Sequence, residues 1–331
     1  MADFDEFVAE VESHLQRLLE EHNYNTVGNF VALYDSFRKS SCTSFTEFYQ
    51  NYAPPITPSH HTCVGLALEL WLKLKHLSSH LYLVSCEESI GVFDEYAGLY
   101  DSIYESISVL EKEHVLLAVK VDVCGRAGIL LCDPGYHIGR VVVVMPDELH
   151  PHTGWFVQSQ EQNVRKEYNY VFSSRNPNFI EWYDRTTRSA SSKVEEVHSL
   201  IYIKKPFLTA VDVTERRNLV YSFRSLLSRD QKGHLLAGLY FKLKENSDEF
   251  TIFYHDDGKQ RIKLNFATFT NADRINEQLL NIVNLCNDQL NLKRGELMQL
   301  IKRLGDIMQD KAYVRQVLDT NTCINNMTEV N

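Results

Sequence analysis

Apolar positions along this chain change their period twice. From the N-terminus they recur at spacings of three and four: Phe4, Phe7, Val8, Val11, Leu15, Leu18 and Leu19 make one stripe, as an amphipathic helix requires. The same rhythm from Thr26, through Val27, Phe30, Val31, Tyr34 and Phe37, predicts a second helix. Pro54, Pro55 and Pro58 then stop helix formation. A third helix is predicted from Cys63 to about Leu77. Its apolar residues, among them Val64, Ala67, Leu70, Trp71 and Leu74, lie on most sides, so it belongs at the centre of the fold. Thr62 or Ser59 is placed to cap it.

The pattern then shortens to strands. His80–Cys86 is short and β-rich, and His114–Val123 is the strongest strand in the chain, with Val115, Leu117, Val119, Val121 and Val123 on one face. The segment Cys124–Gly128 turns the chain, Ile129–Asp133 returns as an antiparallel partner, and Arg140–Met145 follows another turn. The stretch 150–200 has no clear period. Beyond it, Ser199–Lys205, Leu235–Lys244, Phe250–His255 and Arg261–Phe266 read as strands, the last two joined by an Asp-Asp-Gly hairpin signal. From Asn271 the helical period returns: Ile275, Leu279, Ile282, Val283, Cys286 and Leu290 make one stripe, and Leu297, Leu300, Ile301, Leu304, Ile307 and Met308 a second. The last dozen residues are polar and are expected to be loose. Helices, then strands, then helices indicate an α+β fold, not an alternating βαβ chain. The segments are 1–79, helical and carrying the Cys63 helix; 80–210, β-rich; 211–270, a further β-rich part; and 271–331, amphipathic helices.

Composition narrows the classes. The chain has 331 residues and a formal net charge of −10, with no long block of like charges, which argues against nucleic acid as a partner. No apolar stretch approaches the length of a membrane span, and the N-terminus does not read as a secretory signal. Seven scattered cysteines, an odd number, imply free thiols in a reducing compartment, hence the cytoplasm. No Cys-x-x-Cys pair, P-loop or His-Glu-x-x-His motif is present.

Candidate chemistry centres on Cys63. In the first turn of its helix, a thiolate would face the positive end of the helix dipole and the unpaired amides, which also suit an oxyanion. A nucleophile needs a base, and the base an orienting group. His114 heads the central strand; Asp133 ends its neighbour, so in a hairpin the two lie side by side. His137, four residues past Asp133, is the weaker alternative base because it sits in a turn. Asp122 stands at the far end of the His114 strand, about 26 Å away by strand rise, and is excluded as the orienting group. Cys63 also has the plainer reading of a small buried residue. His60, His61 and Cys63 as metal ligands are disfavoured, since adjacent histidines rarely share one ion and no fourth ligand has suitable spacing. No metal is therefore expected. His150 and His152 read as loop histidines.

A helix-borne Cys, a His heading one strand and an Asp ending the next resemble the papain-like cysteine arrangement in its transglutaminase-like order. "EHVLLAVKV" and "ILLCDPGYHIG" are similar to the His-bearing strand and the Asp-Xaa-Gly segment of the arylamine N-acetyltransferases. The resemblance covers roughly residues 1–270. It implies a papain-like, N-acetyltransferase-like core in which 80–210 supply an antiparallel β-barrel or sheet and 211–270 a lid-like third part, followed by a C-terminal helical extension. It also implies acyl transfer through Cys63, with His114 as base and Asp133 as its orienter. Acyl-CoA would be the cosubstrate, a small-molecule or protein amine the acceptor, and no cofactor would be tightly bound. Where that family carries Arg-Gly-Gly before its cysteine, this chain has Ser-His-His-Thr. The same fold also accommodates a transglutaminase-like amidase or peptidase, or a non-catalytic binding protein. The C-terminal stripes are long enough for self-association or a protein partner.

Overall fold

A computed structural model describes residues 2–57, 61–87, 113–161, 163–189, 193–207, 211–270 and 274–329. Ser59 and His60 lie outside the described residues. In chain order the elements are α1 (Ala2–Glu21), β1 (Tyr24–Asn25), α2 (Val27–Lys39), α3 (Phe45–Asn51), α4 (Cys63–Leu74), β2 (Leu81–Glu87), β3 (His114–Val123), β4 (Arg126–Cys132) and β5 (Val142–Val144). Then come β6 (Phe156–Glu161), β7 (Val164–Phe172), β8 (Phe179–Arg188), β9 (Lys193–Tyr202), α5 (Val211–Val220), β10 (Phe223–Arg229), β11 (Leu235–Lys242), β12 (Glu249–His255) and β13 (Lys259–Asn265). The chain closes with the short α6 (Phe266–Phe269), then α7 (Glu277–Gln289), α8 (Glu296–Gln309) and α9 (Lys311–Glu329). The class is α+β.

An antiparallel sheet in the order β5-β4-β3-β2-β9-β8-β7-β6 curls until β5 approaches β7. Around β2 to β4 both of its faces are covered. Val115, Leu117, Val119 and Leu130 pack under α1 and α4, through Leu15, Leu66 and Leu70; Leu116, Ala118, Ile180 and Trp182 fill the opposite face. Burial on both sides explains why β3 carries apolar residues at every position from 115 to 119. Its turn, Cys124–Gly125, has φ of 55° and 81°, the left-handed pair that matches the twist of a two-residue hairpin.

The unassigned stretch 150–200 forms β6 to β9. Its strands are long and polar because their outer halves pair through charge: Lys166 with Asp184 at 2.7 Å, and Arg185 with Glu196 at 3.0 Å. Apolar periodicity has nothing to report there.

A second sheet runs β1-β10-β11-β12-β13. It shares one core with α2, α3 and α6–α9, built around Phe30, Phe241, Phe250, Phe266 and Tyr313. The C-terminal stripes, including Val283, Cys286, Leu297, Ile301 and Leu304, are buried in this core. As far as Glu329 the polar chain end, expected to be loose, is instead the last part of α9. Buried Arg217 holds it, donating to the side-chain oxygens of Asn321 at 2.6 Å and Asn325 at 2.8 Å, one helical turn apart. Among the described residues no helix is long and apolar enough to cross a membrane.

Candidate active site

Cys63 opens α4 and is 3% exposed. Thr62 precedes it in extended conformation, with Leu66 N–H donating to the Thr62 carbonyl at 2.9 Å to close the first turn. The amides ahead of Leu66 have no intrahelical acceptor and point towards the thiol end of the helix. Thr62 stands at the cap position, but its side chain does not cap. Its hydroxyl donates to Glu215 Oε2 at 2.8 Å, while Asn29 Nδ2 donates to Glu215 Oε1 at 2.8 Å. Burial raises the Glu215 carboxyl to about 7, against the pull of those two hydrogen bonds.

α5, which carries Glu215, is thereby braced against the start of the nucleophile helix. One turn later it presents Asn218, whose Nδ2 donates to Cys63 Sγ at 3.4 Å. The end of α5 is pinned in turn by the wholly buried Arg224, which donates to the carbonyls of Asn218, at 2.6 Å, and Leu219.

The β3–β4 register explains the other half of the site. Leu117 opposes Cys132, so one residue further Asp133 opposes Leu116. His114 lies two residues from Leu116 on the same face, which makes His114 and Asp133 diagonal neighbours. His114 Nε2 is 2.8 Å from Asp133 Oδ2, with both side chains buried. Asp133 Oδ1 accepts from Tyr136 N–H at 2.9 Å, which locks the carboxylate in its turn. Cys63 and the same imidazole line one cavity and meet at Gly135, and Nδ1 is the ring nitrogen that Asp133 does not engage. Burial pulls His114 down, but the charge and hydrogen bond of Asp133, with the Cys63 contact, outweigh it and hold the imidazole well above the ordinary histidine value.

Gly135 closes the contact. A Cβ on it would lie 2.7 Å from Cys63 Cβ and 2.7 Å from His114 Cε1, so only glycine lets the Asp-Pro-Gly turn pass between thiol and ring. Tyr136 packs edge-on against His114, with ring centres 4.6 Å apart. His137, the alternative base, is held by Arg229 Nη1 at 2.9 Å from its Nδ1. Burial, then the Arg229 charge, keeps it well below the ordinary histidine value, so it is neutral and poorly suited to hold a proton.

A cavity of about 260 Å³ opens over these groups, lined by Cys63, His114, Gly135 and Asn218 with Tyr24 and Phe223. Across Tyr136 and His137 lies a wider cleft of about 920 Å³ that carries Lys166, Lys259 and Arg261.

Cys63, His114 and Asp133, read from spacing, thus meet in one place. Asn218, Glu215 and Gly135 escaped sequence reasoning. Gly135 was visible only as part of a turn, and α5 is a polar helix whose pattern announces no role.

No protein-family model matches the chain, and no curated protein matches it. Among solved structures the chain is similar to the arylamine N-acetyltransferase from Mycobacterium abscessus. The TM-score is 0.47 and the identity 10%, covering 90% of this chain and 88% of that chain.

Proposed function

We propose that the chain is a cysteine-dependent acyltransferase, with Cys63 as nucleophile, His114 as its proton acceptor and donor, and Asp133 as the orienting group. The observation that carries this reading is the buried 2.8 Å contact of Asp133 with His114 Nε2, with Cys63 and the His114 ring so close at Gly135 that one added Cβ would touch both. Three polar groups in this order, buried beside a cavity, have no packing rationale that an apolar core would not serve better.

In the proposed cycle Cys63 Sγ attacks the carbonyl carbon of an acyl thioester, and His114 holds the proton that leaves the sulfur. The oxyanion is met by the first-turn amides of α4 and by Asn218 Nδ2. Collapse breaks the carbon–sulfur bond to the leaving thiolate, which takes the proton from His114. An amine then attacks the acyl-cysteine and gives its proton to the imidazole; breaking the Cys63 thioester returns it to the sulfur. Acyl-CoA is the proposed donor, because the wide cleft beside the cavity carries Arg261 with Lys166 and Lys259, and phosphates bound there would draw the two lysines from Asp184 and Glu161. A small-molecule or protein amine is the proposed acceptor. A cytoplasmic setting keeps such a thiol reduced.

Two measurements test this. Limiting iodoacetamide near pH 6, with labels mapped by mass, should modify Cys63 ahead of Cys124 and Cys323, although those two are exposed and Cys63 is not. His114→Ala should abolish that order. Incubation with acyl-CoAs should leave an acyl group on Cys63 that an added amine discharges. Discharge by water alone would place the chain among hydrolases. Labelling that follows exposure, with no adduct from any acyl-CoA, would refute the proposal in favour of a non-catalytic binding protein.

A further inference from the structure

Sequence spacing argues against His60, His61 and Cys63 as a metal set, but the fold gives His61 different neighbours. His22 follows the end of α1, His61 precedes the nucleophile helix, and Glu69 lies within it. His22 Nε2 is 2.9 Å from Glu69 Oε1, and His61 Nε2 is 3.6 Å from Glu69 Oε2. One ligand atom from each of the three residues falls within 4.8 Å of the other two. The imidazole rings lie 4.4 Å apart and are inclined by 39°.

We propose that His22, His61 and Glu69 bind a zinc ion. Zinc holds nitrogen and carboxylate oxygen at about 2.0–2.2 Å in a tetrahedron, which sets neighbouring ligand atoms about 3.3 Å apart. The two measured separations, each to a different oxygen of Glu69, lie near that value, and with all three ligand atoms within 4.8 Å, turning the carboxylate and the two rings brings them onto one ion. The donor set, two imidazoles and a carboxylate, suits zinc better than magnesium or calcium, which prefer oxygen alone. The three side chains are 25%, 26% and 19% exposed, open enough for the ion to enter and for water to take a fourth position.

The backbone positions are prepared. The His22 N–H donates to the Leu18 carbonyl at 3.1 Å, and its own carbonyl accepts from buried Arg229 at 2.7 Å. The His61 carbonyl accepts from Asn25 N–H at 2.9 Å. Two histidines on anchored backbones lose little freedom when they ligate. Lys73 Nζ is 3.7 Å from Glu69 Oε1 and 3.1 Å from Glu21 Oε2. When the ion arrives, the lysine stays with Glu21 and yields Glu69. The ion then ties the end of α1 and the segment before Cys63 to α4. The site is independent of the acyl-transfer reading, because it uses none of those residues.

The test uses the full chain, stripped with a chelator. Zinc chloride titrated by calorimetry should bind at one site and raise the melting temperature. With cobalt chloride, visible d–d bands should appear without a thiolate charge-transfer band. His22→Asn and Glu69→Gln should each weaken zinc binding by about tenfold or more. Should either variant fold poorly, diethylpyrocarbonate on the unaltered protein gives the same answer, because zinc should shield His22 and His61 and leave exposed His234 reactive. Absence of zinc binding, unchanged affinity in both folded variants, unshielded histidines, or a charge-transfer band lost in Cys63→Ser would each overturn the assignment.

Discussion

Glu215 makes the strength of the brace beneath Cys63 depend on pH. Its carboxyl is 1% exposed and bonded to Thr62 and Asn29, and its value is raised from 4.5 to about 7 by burial. The folded carboxyl keeps its proton to higher pH than the unfolded one, so folding takes up a proton between these two values. Stability contributed by the neutral carboxyl is therefore full at low pH and is lost as the pH rises through the window from 4.5 to about 7. At about 1.4 kcal/mol per pH unit, the displacement amounts to about 3 kcal/mol once the window has been crossed. Glu215→Gln keeps the shape of the side chain but cannot ionise. Its amide oxygen can still accept from Asn29, and its amide nitrogen can donate to the Thr62 hydroxyl. Urea unfolding of both proteins across roughly pH 5 to 8 should give similar stabilities at the acid end. At the alkaline end the glutamine variant should be ahead by about 3 kcal/mol. A difference between the two that stays constant with pH would refute the reasoning.

Three further expectations test other parts of the site and fold. Gly135→Ala places a methyl group against Cys63 and His114 and should lower stability by about 1–3 kcal/mol, read by urea unfolding, and abolish acyl-Cys63 formation, read by mass. Asp133→Asn removes the charge that most raises His114, so the imidazolium should lose its proton at lower pH; iodoacetamide labelling of Cys63 near pH 6 should slow by about tenfold or more. Arg217→Ala deletes two charge-assisted hydrogen bonds to α9, and limited proteolysis should then cut the 311–329 segment sooner, reflecting a local loss of about 2–3 kcal/mol.

Several features were open to reading in one dimension. The stripes of α1, α2, α7 and α8, the β-rich run of β3 and a turn between Val123 and Ile129 follow from side-chain period and composition, which are local properties; that Cys124 and Gly125 alone make the turn came from the structure. The adjacency of His114 and Asp133 was legible too, because a tight hairpin converts sequence order into register. Cys63 at the head of α4 was legible for a similar reason: the prolines before it and the apolar run after it mark a helix start. The β7–β9 ribbon and the end of α9 were not legible. Their order comes from cross-strand ion pairs and from one arginine far away in sequence, and neither leaves a period in the chain.

Long-range packing decided the rest. Only the folded chain brings Asn218 and Glu215 beneath Cys63, slips Gly135 between thiol and imidazole, and gathers His22 with His61 and Glu69. Hydrogen-bond donors and ligands act over about 3 Å, whereas residues separated by tens to more than a hundred positions carry no trace of that distance in composition or spacing. Residue type limits what each side chain can do; the burial of two sheets under a shared set of helices determines which of them meet.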